Sequence, residues 1–383
     1  MTSMHGGDIA IVGAAETDRI GALPGHSMLA LHAEAARNAL ADAGLTPRDV
    51  DGLAAAEPLS IEVAHHLGIT PRWLDGTNVG GGSFLSHVRH AAAAIAAGAA
   101  EVVLVTHGES GRSRIGSAGH SATRTSPQGQ FEWPYGAVLP HTAFTVPALR
   151  FLHDRGLDRR ALAEVVVAQR EWAVDNQRAW RRNRVTVDDV LDDDVVSFPF
   201  TKQMCCVVTD GGGALVLTSR HRAAQSPRPP VYLLGSGESA GSTMVSQMDD
   251  LGSFLGFRLS SADAFATAGV RPEDIDHLMV YDAFAHLPLY GLEDLGFVGR
   301  GESAGFIADG HTRPGGSLPM NTNGGGLSYT HTGKYGMFAI LESVRQLRGE
   351  AAVQVPGVTL GFVQGVGLFF AGASSLVLSN TRP

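Results

Sequence analysis

The sequence predicts an α/β protein made of two duplicated halves, with an extra segment inserted in the first. Three observations carry that reading. The stretch ALADAGLTPRDVDGL (39–53) aligns without gaps on AFATAGVRPEDIDHL (264–278), helix-like and strand-like apolar patterns alternate along the chain, and the alternation breaks between about 109 and 200.

Taken in order, DIAIVGAAE (8–16) reads as a strand. The first copy of the repeat follows, with identities at Ala39/Ala264, Ala41/Ala266, Ala43/Ala268, Gly44/Gly269, Pro47/Pro272, Asp49/Asp274, Asp51/Asp276 and Leu53/Leu278. Each copy reads as a helix ended by Gly, a Pro-containing loop and the start of a strand. Next, HVRHAAAAIAAG (87–98) is a helical pattern closed by Gly that runs into the strand EVVLVTHG (101–108). Its counterpart in the second half is AILESVRQLRG (339–349), running into VTLGFVQGVG (358–367). In the insertion, RRALAEVVVAQREWAVDNQRAW (159–180) has helical period and leads into Arg178, Arg181, Arg182 and Arg184. That basic run suits either the phosphates of a nucleotide-bearing ligand or a solvated helix end. The strands GGALVLTS (212–219), VYLLGSG (231–237) and HLMVYDAF (277–284) complete the set, and SPRPP (226–230) is a surface connection. The expected layout is one helix-covered sheet per half, over 1–255 with the insertion at about 109–200, and over 256–383.

Composition narrows the function. With 44% hydrophobic and 17% charged residues among 383, the chain buries a large core rather than remaining disordered. Lys+Arg 29 against Asp+Glu 38 leaves a net charge of −9, which disfavours nucleic acid or an anionic membrane as partner. Two adjacent cysteines, Cys205 and Cys206, make neither a disulfide framework nor a zinc knuckle, and a reducing cytoplasm fits them. No apolar run reaches the roughly 18 residues of a membrane span, so a soluble cytoplasmic protein is expected.

Six motifs in order, IVGAAETDRIG (11–21), AAAAIAAGAAEVVLV (91–105), CCVVTDGGGALVL (205–217), YDAF (281–284), NTNGGGLSYTH (321–331) and QLRG (346–349), make the chain resemble the thiolase superfamily over almost its full length. The likeness is to the sterol-carrier-protein-type, lipid-transfer-protein-like branch. It implies a layered αβαβα fold with an inserted loop domain, and a substrate that is a thioester of coenzyme A or of a carrier protein, with no permanently bound cofactor. It also implies a homodimer and, in this branch, a small OB-fold and zinc-ribbon subunit.

Thiolase chemistry uses a nucleophilic cysteine at a helix start, an activating histidine and a second cysteine in a late turn. Here both cysteines are missing. Counting leftwards from Gly98 and Glu101 puts Gly81 at the nucleophile position, whereas counting rightwards from Asn78 and Val79 puts Ser83 there. The late turn reads Gln364-Gly365-Val366-Gly367, and Cys205 and Cys206 match a strand entry where cysteines pack in the core. A step of 50 residues from Tyr281 reaches His331, which matches the family's catalytic histidine. Tyr281 stands where relatives carry Asn or His, and a phenol there can donate to an enolate or move a proton. The branch that cleaves steroid side chains by retro-aldol chemistry uses tyrosines and no cysteine. Tyr281, His331 and Ser83 are thus the candidate catalytic residues, with Tyr329 and Tyr335 as weaker candidates of Tyr281's type. Asn321, Gly81, Gly82, Gly365 and Gly367 are the candidate substrate contacts. Asp210 and Asn323 should shape turns, and His87 and His90, two ligands without a third, make no metal site. Three activities stay open: aldol- or Claisen-type C–C bond chemistry through an enolate, acyl transfer through Ser83 or a partner nucleophile, and non-catalytic binding of an acyl thioester.

Overall fold

The computed structural model describes residues 4–116, 123–138 and 140–381; 117–122 and 139, which belong to the predicted insertion, lie outside the described residues. The strands are β1 (Ile9–Glu16), β2 (Gly52–Ala54), β3 (Trp73–Asp75), β4 (Val102–Ser110), β5 (Val195–Ser197), β6 (Phe200–Thr201), β7 (Asp210–Ser219), β8 (Val231–Ala240), β9 (His277–Val280), β10 (Leu360–Gly367) and β11 (Gly372–Ser379). The helices that matter most are α1 (Met28–Asp42), α2 (Ser60–Leu67), α3 (Ser83–Ala96), the insertion's α4 (Pro127–Phe131), α5 (Pro140–Asp154), α6 (Arg160–Val174) and α7 (Val187–Leu191), and the short α8 (Arg220–Ala223). The second half adds α9 (Leu255–Ala268), α10 (Leu287–Asp294), α11 (Ser303–Ala308), α12 (Gly325–Ser328) and α13 (Gly336–Arg348).

Nine strands pair in the order β3-β2-β4-β7-β1-β8-β11-β10-β9. Apart from the extra edge strand β3, the order β2-β4-β7-β1 is mirrored by β9-β10-β11-β8, so the duplication reaches the strand pairing. The expected one sheet per half is corrected in one respect: β1 and β8 pair antiparallel through Ile9 to Ile11, joining the two half-sheets edge to edge. β8 lies before residue 256 in the chain, yet it takes in the second half the place that β1 takes in the first.

The repeated residues have repeated jobs. Gly44 and Gly269 end their helices in the left-handed region, at φ +68° and +69°. Asp51 accepts from the N–H groups of Glu101 and Val102 at the start of β4, and Asp276 accepts from those of Thr359 and Leu360 at the start of β10. The carbonyls of Ala39 and Ala264 lie 2.2 Å from where Gly13 and Gly235 would carry a Cβ, so each outer helix sits directly on strand backbone.

The middle layer is α3 and α13. Met337 and Leu341 of α13 press on Gly213 of β7, while Ser343 lies on Gly361 of β10, so one helix serves both half-sheets. Ser86 of α3 likewise hydrogen-bonds Ser374 of β11 at 2.8 Å. With α1 and α2 covering the first half-sheet and α9 the second, the layers are αβαβα. Strand residues of both faces, Ile9 and Ile11 inward and Ala10 and Val12 outward, are buried. The predicted 159–180 helix stops at Val174, and the Asn176 amide then donates to the Asn323 carbonyl at 3.0 Å, tying the insertion to the second half. Among the described residues no helix is long and apolar enough to cross a membrane.

Candidate active site

The site forms where the start of α3 meets the C-terminal end of β9. Before α3, Gly80–Gly82 make a tight 3-10 turn. A Cβ at Gly81 would fall 2.2, 2.3 and 2.4 Å from Cε2, Cζ and Oη of Tyr281, so the tyrosine ring occupies the space that a side chain at 81 would need. Gly81 thus faces the Tyr281 ring, and Ser83 stands at the start of α3. The Ser83 hydroxyl is fully buried; it donates to the Gly80 carbonyl at 2.7 Å and accepts from the Val79 N–H at 3.0 Å. These bonds make it a brace for the turn. Gly82 packs on Gly365 and Gly367, and a Cβ at Gly367 would strike the Val79 carbonyl at 1.9 Å, so these glycines let two backbones touch.

Tyr281 and His331 are brought together. Tyr281 Oη lies 2.9 Å from His331 Nε2, with the rings edge to face. The Gly333 N–H donates to His331 Nδ1 at 3.2 Å, which places the proton of the neutral ring on Nε2, pointing at the phenol. The Tyr335 N–H donates to the same oxygen at 3.3 Å. Tyr281 Oη therefore accepts two hydrogen bonds and keeps its own proton to give away. Burial holds that phenol well above its usual pKa, so it is a donor in the resting site.

The neighbouring groups hold this pair. Asp282, the second residue of YDAF, accepts from the N–H groups of Gly326 and Leu327 at 2.6 and 3.2 Å, and burial pushes its carboxyl up to about 7. Gln364, at the missing second-cysteine position, accepts from the Tyr281 N–H at 3.2 Å. Lys334, with a side chain only 1% exposed, pairs with Glu57 at 2.8 Å, and Glu57 in turn accepts from Asn78 beside the glycine turn. Sequence reading assigned no role to Asp282, Gln364 or Lys334; their only signal is adjacency to Tyr281, His331 and the late turn.

Other candidates sit elsewhere. The Asn321 amide bonds both the N–H and the carbonyl of Val280, at 2.9 and 3.0 Å, which commits it to strand β9 and not to a ligand. Tyr329 donates to Glu16 at 2.6 Å, and Tyr335 donates its hydroxyl to Asn323 at 2.8 Å. Cys205 and Cys206 are half-buried against the core, and desolvation pushes the Cys205 thiol up to about 12 and Cys206 higher still, which disfavours the thiolate at both. His87 bonds the Thr77 carbonyl and His90 bonds Asp75 and Glu238, each a structural partner. Asp210 gathers N–H groups of Leu23, Arg112 and Ser113, shaping a turn. The arginine run disperses: Arg178 pairs with Glu16 at 2.9 Å and Arg181 reaches the carbonyls of Cys205 and Leu327.

Residues 237–380 match the family model "Thiolase C-terminal domain-like". The chain is 36% identical, over 93% of its length and 95% of the relative's, to the 17-hydroxy-3-oxo-4-pregnene-20-carboxyl-CoA lyase of Mycobacterium tuberculosis. The chain belongs to the thiolase superfamily. Within it, this thiolase-like chain falls in the sterol-carrier-protein-type branch: it is also 35% identical, over 92% of both chains, to the steroid side-chain-cleaving aldolase of Thermomonospora curvata. The solved "Ltp2-ChsH2(DUF35) aldolase" superposes with a TM-score of 0.90 over 99% of this thiolase-like chain and 98% of its own, at 32% identity. The Mycobacterium tuberculosis relative is named as a lyase of a CoA thioester and the other two as aldolases, in line with the C–C bond chemistry on an acyl thioester that the sequence pointed to.

Proposed function

We propose that this protein cleaves the side chain of a steroid-like acyl-CoA by a retro-aldol reaction, with Tyr281 and His331 moving the protons. One observation carries the reading: the Tyr281 ring fills the space that a side chain at Gly81 would need and puts its hydroxyl 2.9 Å from His331 Nε2. The name of the Mycobacterium tuberculosis relative's substrate places a hydroxyl on the carbon next to the one bearing the thioester carbonyl, which is the pattern of an aldol adduct. In the reverse reaction Tyr281, protonated at rest, takes up the substrate's hydroxyl proton as it passes its own proton to the α carbon left by the broken bond, so that a ketone and a shortened thioester result while His331 Nε2–H keeps donating to Oη. No net proton is gained or lost. Two donors on Tyr281 Oη stabilise the charge that develops there during the transfer.

Acyl transfer through Ser83 finds no support in this geometry, since its proton is held by the Gly80 carbonyl. By similarity to the solved aldolase, a DUF35 subunit is the proposed partner, and the homodimer implied by the family resemblance is the proposed assembly. The test is a Tyr281→Phe variant given a β-hydroxyacyl-CoA with the hydroxyl-bearing carbon in a ring. Cleavage should fall by about a hundredfold or more while the thioester binds as before. Full activity in Tyr281→Phe sinks the proposal, and thioester binding with no turnover in the unaltered protein would favour a binding subunit.

A further inference from the structure

His286 opens helix α10, five residues after Tyr281, and is fully buried. Its ring lies among Phe144, Phe200, Phe284, Tyr290 and Phe370, with ring centroids 4.9, 5.3, 6.3, 5.7 and 6.0 Å away. Neither ring nitrogen has a hydrogen-bond partner among the described residues. Burial drives its pKa down to about 3, so the ring is neutral and presents one N–H donor and one acceptor nitrogen. Leaving both idle in an apolar box costs stability that a phenylalanine would not cost. Apolar walls with a single polar group are the make-up of a ligand pocket.

The box is closed by the tip of the β10–β11 hairpin. Leu368 and Phe370 hold φ of +51° and +61°, a left-handed region in which residues with side chains are strained. Phe370 seals the aromatic cluster while Leu368 is exposed. The same tip abuts the catalytic turn, because a Cβ at Gly80 would meet the Leu368 N at 2.6 Å. One strained tip thus spans from the Gly80–Gly81 turn, where Tyr281 reacts, to the box around His286.

We propose that this box is the subsite for the far end of the acyl group: when the tip moves aside it takes the apolar ring end of a polycyclic acyl thioester, and the His286 N–H donates to a carbonyl oxygen there. The proposal rests on the retro-aldol reading and adds what the enzyme selects for. Its test uses the whole protein and two CoA thioesters with one β-hydroxyacyl side chain and one fused-ring skeleton, with and without a ketone at the far end. Wild type should prefer the ketone by about tenfold or more in kcat/KM. In His286→Phe the two substrates should converge to within about twofold, through a raised KM for the ketone, and the variant should melt above wild type. His286→Gln, which keeps an N–H, should recover part of the preference. An undiminished ketone preference in His286→Phe overturns the proposal, as does an equal loss on both substrates. If wild type cleaves neither thioester, the retro-aldol reading fails, and calorimetric titration still decides the subsite. A tenfold affinity loss confined to the ketone compound supports it, and equal affinities overturn it.

Discussion

A single methyl group added at Gly81 would place a carbon 2.2 Å from Cε2 of Tyr281, where contacts between such atoms settle near 3.4 Å or beyond. The ring must therefore retreat by about 1 Å or more. It is rigid and buried, and its hydroxyl is held by His331 Nε2 at 2.9 Å and by the Tyr335 N–H at 3.3 Å. Gly81→Ala should cost about 1–3 kcal/mol by overpacking and lower cleavage by about a hundredfold, since a 1 Å misplacement of a reacting group costs about that much. Gly81→Cys should do the same without restoring thiolase chemistry. Tyr281→Ala should make room, so the added cost of Gly81→Cys should largely vanish in the Tyr281→Ala background, a coupling of about 1–3 kcal/mol in a double-mutant cycle. Urea denaturation and a cleavage assay measure both effects. Gly81→Ala with wild-type stability and turnover would refute the steric reasoning.

Three further outcomes are expected. Ser83→Ala removes two bonds that brace the glycine turn and should cost about 1–2 kcal/mol; intact-protein mass spectrometry should show no acyl adduct on Ser83 in wild type, and an adduct that disappears in the variant would reinstate acyl transfer. Hydrogen bonds that His90 donates to Asp75, then Glu238, raise its pKa from 6.5 to about 9, so its contribution to stability is full below pH 6.5 and is lost as pH rises through about 9. The gap in melting temperature between wild type and His90→Gln should accordingly be widest near pH 6 and close by pH 10; a gap that widens with pH contradicts the assignment. In the Lys334–Glu57 pair the cation is the buried partner, with side chains 1% and 38% exposed. Glu57→Ala strands it, so it should destabilise more than Lys334→Met does, and equilibrium unfolding showing the reverse order refutes the pairing as the source.

Legibility followed the range of the interaction. The repeat was readable because its residues act locally: Gly44 and Gly269 end helices, and Asp51 and Asp276 cap the next strand, tasks that leave fixed spacings. The step from Tyr281 to His331 was readable for a similar reason, since both lie within one half. The fit of the Tyr281 ring against Gly81 was not, because that ring arrives from 200 residues away and no local spacing marks it. Pairing of β1 with β8 was hidden as well: apolar patterning says that a strand is buried but not which edge it meets. Asn321 sits close to the catalytic motifs in sequence, and its amide is nonetheless absorbed by Val280 of β9. His286 carries no local mark of its aromatic surroundings, which come from α5, from the hairpin tip and from its own helix.

The continuous sheet divides labour unevenly across its centre. The first half contributes bare main chain to the site, the turn at Gly80–Gly82, while the second contributes both members of the proposed proton-moving pair. Cut between β7 and β8 into two polypeptides, neither fragment should act alone, and each would expose an open edge at β1 or β8 that only the other matches. Turnover would then serve as a reporter of fragment complementation, and the duplicated copies, alike in backbone, would prove no longer interchangeable.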